Sequence, residues 1–146
     1  MRVEIRDLQS EPVDHDLLGR VASSVGEAEQ LNLDLLSLVL VDDATMETLN
    51  CTLRNTVGTT DVIAFEAEVG PDGQAEAEAY ISVPQAAAQA AEHGHSVAWE
   101  LAFLVAHAVL HAAGYTDADP EDRAAMLDRQ RTILQEHKGL SGFAQN

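Results

Sequence analysis

The stretch SVAWELAFLVAHAVLHAAG, residues 96–114, predicts a helix that lies inside the protein. Ser96 is a favourable N-cap and Gly114 a favourable terminator, so the helix is expected to run from Val97 to Ala113. A helix that is apolar on most of its circumference is buried in a core. The large apolar side chains are Trp99, Leu101, Phe103, Leu104, Val105, Val109 and Leu110.

The segments around this helix have strand and helix patterns. Strands are predicted for Arg2–Arg6, Leu36–Val41, Asp61–Val69 and Glu78–Val83, the last two joined as a hairpin by a turn at residues 71–73. Further helices are predicted for Asp14–Leu31, from a cap at Asp42 or Asp43 to Leu53, for Pro84–His93 and from Asp119–Pro120 to about Lys138. This order predicts an α+β fold, a small mixed sheet of about four strands with helices packed on it. Residues 1–146 are expected to form a single domain, with a flexible tail at 139–146.

Composition limits the classes of function. The chain has 146 residues, of which 46% are hydrophobic and 23% charged, as in an ordinary globular domain. The apolar runs are too short to span a membrane, and the N-terminus lacks the apolar region of a signal peptide. A single cysteine, Cys51, excludes an internal disulfide, so a cytoplasmic location is expected.

The charge is strongly negative. Eight Lys and Arg residues oppose 25 Asp and Glu residues, which gives a formal net charge of −17. No Lys or Arg lies between Arg54 and Arg123. Such a surface repels polyanions, which argues against a protein that binds nucleic acids through general neutralisation of phosphates.

Two histidines on the predicted buried helix form the clearest chemical pattern. His107 and His111 are four residues apart, so both imidazoles leave the same face, as when one helix gives two ligands to zinc. Asp117, beyond the turn at Gly114, could be a third ligand, with water in the fourth position. Such a water has a lowered pKa and is a nucleophile at neutral pH.

Other interpretations of these residues stay open. The two histidines could be packed core residues, although buried imidazoles need partners. Asp119 is the alternative third ligand, while capping the last helix is its simpler role. Ala108 stands where zinc proteases carry a general-base Glu, so protease chemistry of that type is not expected.

Three segments of the chain resemble the YbeY family of bacterial endoribonucleases. The first, HAVLHAAGYTD at 107–117, resembles the family's HGxLHLxGYDH, whose three His are zinc ligands. The second, LNCTLRNTVGTTDVIAFE at 49–66, resembles LNxxYRxKDxPTDVLSFP. The third, YISVPQAAAQAAEHGHS at 80–96, resembles a family segment in which a strand ends in Ile-Ser and the next helix ends with QA-x-E-x-GHS. The order and spacing hold from about Leu38 to Leu134, and Met126 and Gln130 fit the family's M-x-x-x-Q.

The chain also departs from the family pattern. Asp117 stands where the family has its third ligand His, and Thr116 stands where it has an Asp. The family's Gly, Pro and Ser are replaced by Ala108, Thr59 and Ala64, and its Lys-Asp pair is replaced at residues 56–57. Zinc accepts a carboxylate ligand. The added negative charge makes the ion a weaker Lewis acid and shifts the preference towards harder divalent ions such as manganese.

The resemblance implies further site residues. It places Arg54 at the family's active-site arginine, and a guanidinium can hold a phosphodiester with two hydrogen bonds. By position alone, Arg54 could instead interact with its helix C-terminus. Thr60 is expected to bind substrate, and Asp61 either orients the site or is purely structural. Glu100 either holds a ligand imidazole in place or is a solvated or capping residue.

Several other residues have simpler interpretations. Cys51 is interpreted as inert packing among apolar neighbours, and Trp99 with Phe103 as core. His93 and His95 flank Gly94 at a helix exit and are expected to lie outside the site.

Three functional hypotheses follow. In the first, zinc or another divalent metal on His107, His111 and Asp117 activates water, while Arg54 holds the phosphate of single-stranded RNA. The resemblance then implies rRNA maturation and ribosome quality control, with an rRNA precursor and the small ribosomal subunit as partners. The second hypothesis is a divergent, non-catalytic module that binds the ribosome or a protein, which the charge favours unless the whole proteome is acidic. The third is a metal-dependent hydrolase of a small or peptide substrate, which needs no basic surface.

Overall fold

Five strands and five helices make up residues 1–136, the part of the chain that this computed structural model describes. The predicted tail at 139–146 lies outside the described residues, as does the expected end of the last helix at Lys138. Along the chain the elements are β1 (Arg2–Asp7), α1 (His15–Ala28), β2 (Leu35–Val41), α2 (Asp43–Arg54), β3 (Val62–Ala64), β4 (Glu68–Val69), β5 (Ala75–Ser82), α3 (Val83–His93), α4 (Val97–Ala112) and α5 (Pro120–Glu136).

The strands form one mixed sheet in the order β1-β2-β5-β3, and β4 also pairs with β5. The pairs β1–β2 and β2–β5 are parallel, whereas β3 and β4 run antiparallel to β5. The predicted α+β fold with helices on a mixed sheet is therefore confirmed, with one strand more than the four expected.

The additional strand arises because the predicted strand Asp61–Val69 is interrupted. Ala64 pairs with Ala79, but Glu68 pairs with Glu76, so three residues on one strand face two on the other. One extra residue in a ladder is a β-bulge, which breaks regular pairing and bends the strand. The bulge at 65–67 separates β3 from β4. The alternation of apolar and polar residues in the sequence does not reveal this interruption.

Side-chain caps begin most of the helices. The side chains of Asp14, Asp42, Ser82 and Ser96 accept backbone N–H groups at the first turns of α1 to α4. The hydrogen bonds from Thr45 lower the pKa of Asp42. At the other end, α1 ends at Ala28, before the expected Leu31, because Gln30 adopts a left-handed φ of 52°.

The helix α4 lies at the centre of the main core. It packs against α1, α3 and α5 and against strands β3 and β5. The strand β2 separates two sets of buried side chains: Leu36, Leu38 and Leu40 join the main core, whereas Val39 and Val41 join a small cluster with Met46 and Ile63. In the described residues, no helix combines the length and the apolarity that crossing a membrane requires.

The turn after α4 generates a prediction about stability. Gly114 has φ of 104°, which an L side chain rarely adopts, although a Cβ there would meet no atom within 4 Å. We expect Gly114→Ala to lower the free energy of unfolding by roughly 1–2 kcal/mol through backbone strain. Urea unfolding monitored by circular dichroism measures this change.

Gly19→Ala provides the matched control. Gly19 lies within α1, its φ is not positive, and a Cβ there also has open space. Alanine should therefore stabilise the protein by roughly 0.5–1 kcal/mol. Equal effects of the two substitutions would contradict the assigned strain at Gly114.

Candidate active site

A cleft of about 960 Å³ opens beside the exposed side of α4. Its walls come from the end of α2, the segment before and within β3, the α3–α4 junction, α4 and α5. It contains every residue predicted for the site: Arg54, Thr60, Asp61, Glu100, His107, His111 and Asp117. The fold thus brings together residues that are far apart in sequence.

His107 and His111 face the cleft from successive turns of α4. Their rings are nearly parallel, with an interplanar angle of 7° and centroids 6.2 Å apart. Burial lowers the pKa of His107 below its ordinary value, and His111 acts in the same direction, while Asp117 and Asp61 partly oppose the shift. His107 is therefore a neutral imidazole at neutral pH, with an electron pair free for a metal or a proton.

Asp117 approaches His107 from the turn between α4 and α5. Its Oδ2 lies 4.0 Å from His107 Nε2, and half of its side chain is exposed. The buried His111 Nδ1 has no hydrogen-bond partner within residues 1–136. Two imidazoles and a carboxylate fit a divalent transition metal by their chemistry. However, no three His, Cys, Asp or Glu side chains in the described part of the chain are grouped closely enough to hold one.

Arg54 lies at the cleft with its side chain exposed, at the last position of α2. Nothing within residues 1–136 forms an ion pair or hydrogen bond with its guanidinium. Two more arginines from α5, Arg123 and Arg131, also line the cleft. The sequence analysis did not identify either of them as a residue of the cleft.

The helical periodicity of α5 could have identified the face of this helix that lines the cleft. The positions of α5 that line the cleft are Arg123, Met126, Leu127, Gln130 and Arg131. Their spacing of i, i+3, i+4, i+7 and i+8 marks one face of a helix. Arg123 donates from Nη2 to the carbonyl of Asp117 at 3.4 Å, and Gln130 is buried and donates to the carbonyl of Phe103 at 3.1 Å.

Thr60 and Asp61 form the rim of the cleft before β3. The carboxylate of Asp61 accepts hydrogen bonds from Gln89 at 3.1 Å and from the Thr60 hydroxyl at 3.4 Å. The Asp61 carbonyl accepts from the backbone N–H of Ser82 at 2.9 Å. Asp61 therefore both joins the rim to α3 and β5 and acts on the charge state of His107.

Glu100 is buried, with 3% of its surface exposed, so its interpretation as a solvated residue is wrong. Its Oε1 lies 3.6 Å from Nδ1 of His93. This contact, which is an ion pair only when His93 is protonated, involves neither His107 nor His111. Asp119 caps α5 by accepting the Asp122 N–H at 2.8 Å, as expected for its simpler role.

Three further interpretations need correction. Cys51 is exposed, and the residues that α2 buries are Met46 and Asn50. His93 and His95 line the cleft, contrary to expectation. The side chains of Trp99 and Phe103 are only half-buried: they pack on the core and also face the cleft.

The chain is similar to known proteins over nearly its whole length. Residues 4–138 match the family model described as Endoribonuclease YbeY. The Endoribonuclease YbeY of Moorella thermoacetica is 40% identical over 149 residues, covering 92% of this chain and 96% of the relative. That of Desulforamulus reducens is 37% identical over 147 residues, with the same coverage of 92% and 96%.

The fold also has a counterpart among solved structures. The solution structure of TM1509 from Thermotoga maritima matches with a TM-score of 0.63, covering 94% of this chain and 89% of that one. At 22% identity, this likeness concerns the fold alone. The family model and the two closely matching relatives, by contrast, cover nearly the whole sequence, and the chain therefore belongs to the YbeY endoribonuclease family.

Proposed function

We propose that this protein is a metal-dependent endoribonuclease that hydrolyses single-stranded RNA in its cleft. The observation that carries the proposal is the approach of Asp117 to the neutral His107 in the same cleft as Arg54, which forms no ion pair with any residue of 1–136. Relatives at up to 40% identity bear the name Endoribonuclease YbeY, which supports RNA as the substrate.

His107, His111 and Asp117 would hold the metal, most simply zinc. A bound zinc ion lowers the pKa of a water molecule to near neutrality and so supplies a nucleophile. The lowered pKa of His107 keeps its imidazole free of a competing proton. The buried Nδ1 of His111, which has no partner within the described residues, would gain one. Asp117 is half exposed on a turn, and we propose that it moves inward to complete the donor set.

Arg54 would hold the phosphate next to the bond that breaks. A guanidinium forms two parallel hydrogen bonds with phosphate oxygens, and these bonds strengthen as negative charge develops there. The exposed Arg54 side chain breaks no ion pair of the described residues when it turns towards substrate. Thr60 would turn its hydroxyl from Asp61 to donate a hydrogen bond to substrate, and Asp61 would keep the rim in place through Gln89.

The cellular setting is proposed from the family. We infer an rRNA precursor as substrate, action on the small ribosomal subunit during rRNA maturation and quality control, and a cytoplasmic location. A single strand suits this protein better than a duplex, because a net charge of −17 disfavours binding that depends on dense phosphate contacts.

A second candidate function is a non-catalytic module that binds the ribosome or a protein. The observation in its favour is that the described residues contain no preformed group of three metal-binding side chains. Metal analysis and RNA cleavage assays separate this candidate from the first.

The first prediction concerns His111. We expect wild-type protein to contain about one zinc ion per chain and His111→Ala to lose it, because one ligand is missing. Cleavage of single-stranded RNA should fall by more than about a hundredfold, which exceeds the usual effect of altering a residue that only supports a ligand. Elemental analysis and a gel assay measure both.

His15→Ala is the matched control, since His15 lies outside the cleft and pairs with Asp7 on the surface. It should retain both zinc and cleavage. Cleavage by His111→Ala at the wild-type rate would contradict the metal mechanism.

The second prediction concerns Asp117. Asp117→Ala should lose zinc and cleavage, whereas Asp117→His should keep both, because an imidazole is an equally good zinc ligand. Asp119→Ala, which removes a helix cap instead, should lower stability by roughly 1 kcal/mol and keep zinc. Loss of zinc from Asp119→Ala with retention in Asp117→Ala would reassign the third ligand.

The third prediction concerns Arg54. Arg54→Ala should lower kcat/KM for single-stranded RNA by roughly tenfold to a hundredfold, the effect of losing hydrogen bonds to a charged group. Arg54→Lys should recover only part of this, because an ammonium group cannot form the two parallel hydrogen bonds. Arg2→Ala, which alters a surface residue paired with Glu4, should cleave like the wild type. Full activity of Arg54→Ala would exclude a role in phosphate binding.

A further inference from the structure

The cleft wall formed by α4 carries rings at regular spacing. One ring occurs at every fourth position, at His95, Trp99, Phe103, His107 and His111. The last four lie on α4, where four residues complete slightly more than one turn and so form a row, and His95 lies directly before the cap Ser96. All five line the same cleft.

The first three rings form a continuous stack, which we call the ring stack (His95, Trp99 and Phe103). The centroids of His95 and Trp99 are 4.1 Å apart with an interplanar angle of 22°. Those of Trp99 and Phe103 are 5.0 Å apart with an angle of 14°. The rings are thus oriented as bases are in a single strand, with their planes nearly parallel.

The ring stack ends at Phe103. In residues 1–136, the next ring contact along α4 joins His107 to His111, and none joins Phe103 to His107. Among residues 1–136, therefore, no ring stacks on the side of Phe103 that faces the proposed metal ligands. Phe103 is half-buried, whereas Ala102 and Leu104 beside it are buried, so its ring borders the cleft instead of closing into the core.

We propose that the ring stack is a platform on which a base of single-stranded RNA stacks at Phe103, within about one helical turn, or 6 Å, of His107. This inference rests on the proposed function and deepens it, because it selects an unpaired base next to the reacting phosphate. Every base has a π face, so stacking tolerates any sequence but excludes paired bases that stay within a duplex.

The charge of the protein gives a second reason for stacking. Three arginines, Arg54, Arg123 and Arg131, line the cleft of a chain with net charge −17. At about 0.7 per phosphate contact on a single strand, they give a slope of log Kobs against log salt of only about −2. Counterion release thus contributes modestly to the free energy of RNA binding. Stacking, which does not depend on salt in this way, supplies the remainder of that free energy.

Trp99 reports directly on the proposed platform, because it is the only tryptophan in the chain and stacks on Phe103. The full-length protein as purified is titrated with a short oligo(A) and with an abasic ribose-phosphate oligomer of the same length. We expect saturable quenching of Trp99 emission by oligo(A) at physiological salt and no saturable quenching by the abasic oligomer. Equal quenching by both would overturn the platform.

Variants at Phe103 test the position of the base. Phe103→Leu keeps an apolar side chain but removes the ring, and it should raise the Kd for oligo(A) roughly tenfold to a hundredfold. Phe103→Tyr keeps the ring and should bind within about threefold of wild type. Tyr80→Leu removes a ring that does not line the cleft and should bind like the wild type. Circular dichroism checks that each variant is folded.

The outcomes separate this inference from the proposed function. Wild-type affinity in a folded Phe103→Leu variant overturns the platform, even if the wild-type protein cleaves RNA. Base-dependent quenching and a weakened Phe103→Leu variant support the platform, even if wild-type protein cleaves no RNA and the proposed function fails.

Discussion

Burial of α4 is the constraint on which the rest of the structure depends. Ten of its 16 residues are buried, and it contacts helices on several sides as well as the sheet. The alanines of α4 permit close packing, because small side chains allow the backbones of neighbouring elements to approach the helix. The polar and ring-bearing positions that do not fit into the core then share one remaining side. The packing of α4 therefore determines where the cleft lies, independently of any catalytic requirement.

The features that could be predicted from sequence are those governed by local chemistry. The caps Asp14 and Ser96, the apolar character of α4 and the shared face of His107 and His111 follow from helix geometry alone. The face of α5 that meets the cleft depends instead on tertiary packing, so Arg123 was missed. The burial of Glu100 could not be predicted either, because its partner His93 comes from a different helix.

Net charge is a poor guide to what a substrate would encounter in this protein. The sum of −17 suggests repulsion of any polyanion, yet among the described residues that line the cleft three arginines balance three carboxylates, Asp61, Glu100 and Asp117. Local potential at a cleft depends on nearby charges, and salt screens the more distant acids over about 8–10 Å. The acidic surface and a site for phosphates are therefore compatible.

The small cluster beneath α2 has a consequence for motion. This helix buries two residues, Met46 and Asn50, whereas α4 on the opposite side of the cleft buries ten. Local opening costs least where few apolar contacts hold an element, so amide hydrogens of α2 will exchange with solvent faster than those of α4. The cleft thus has a rigid wall that carries the imidazoles and a softer wall that carries Arg54. In the proposed mechanism, the guanidinium would follow a phosphate through the reaction while the imidazoles stay fixed.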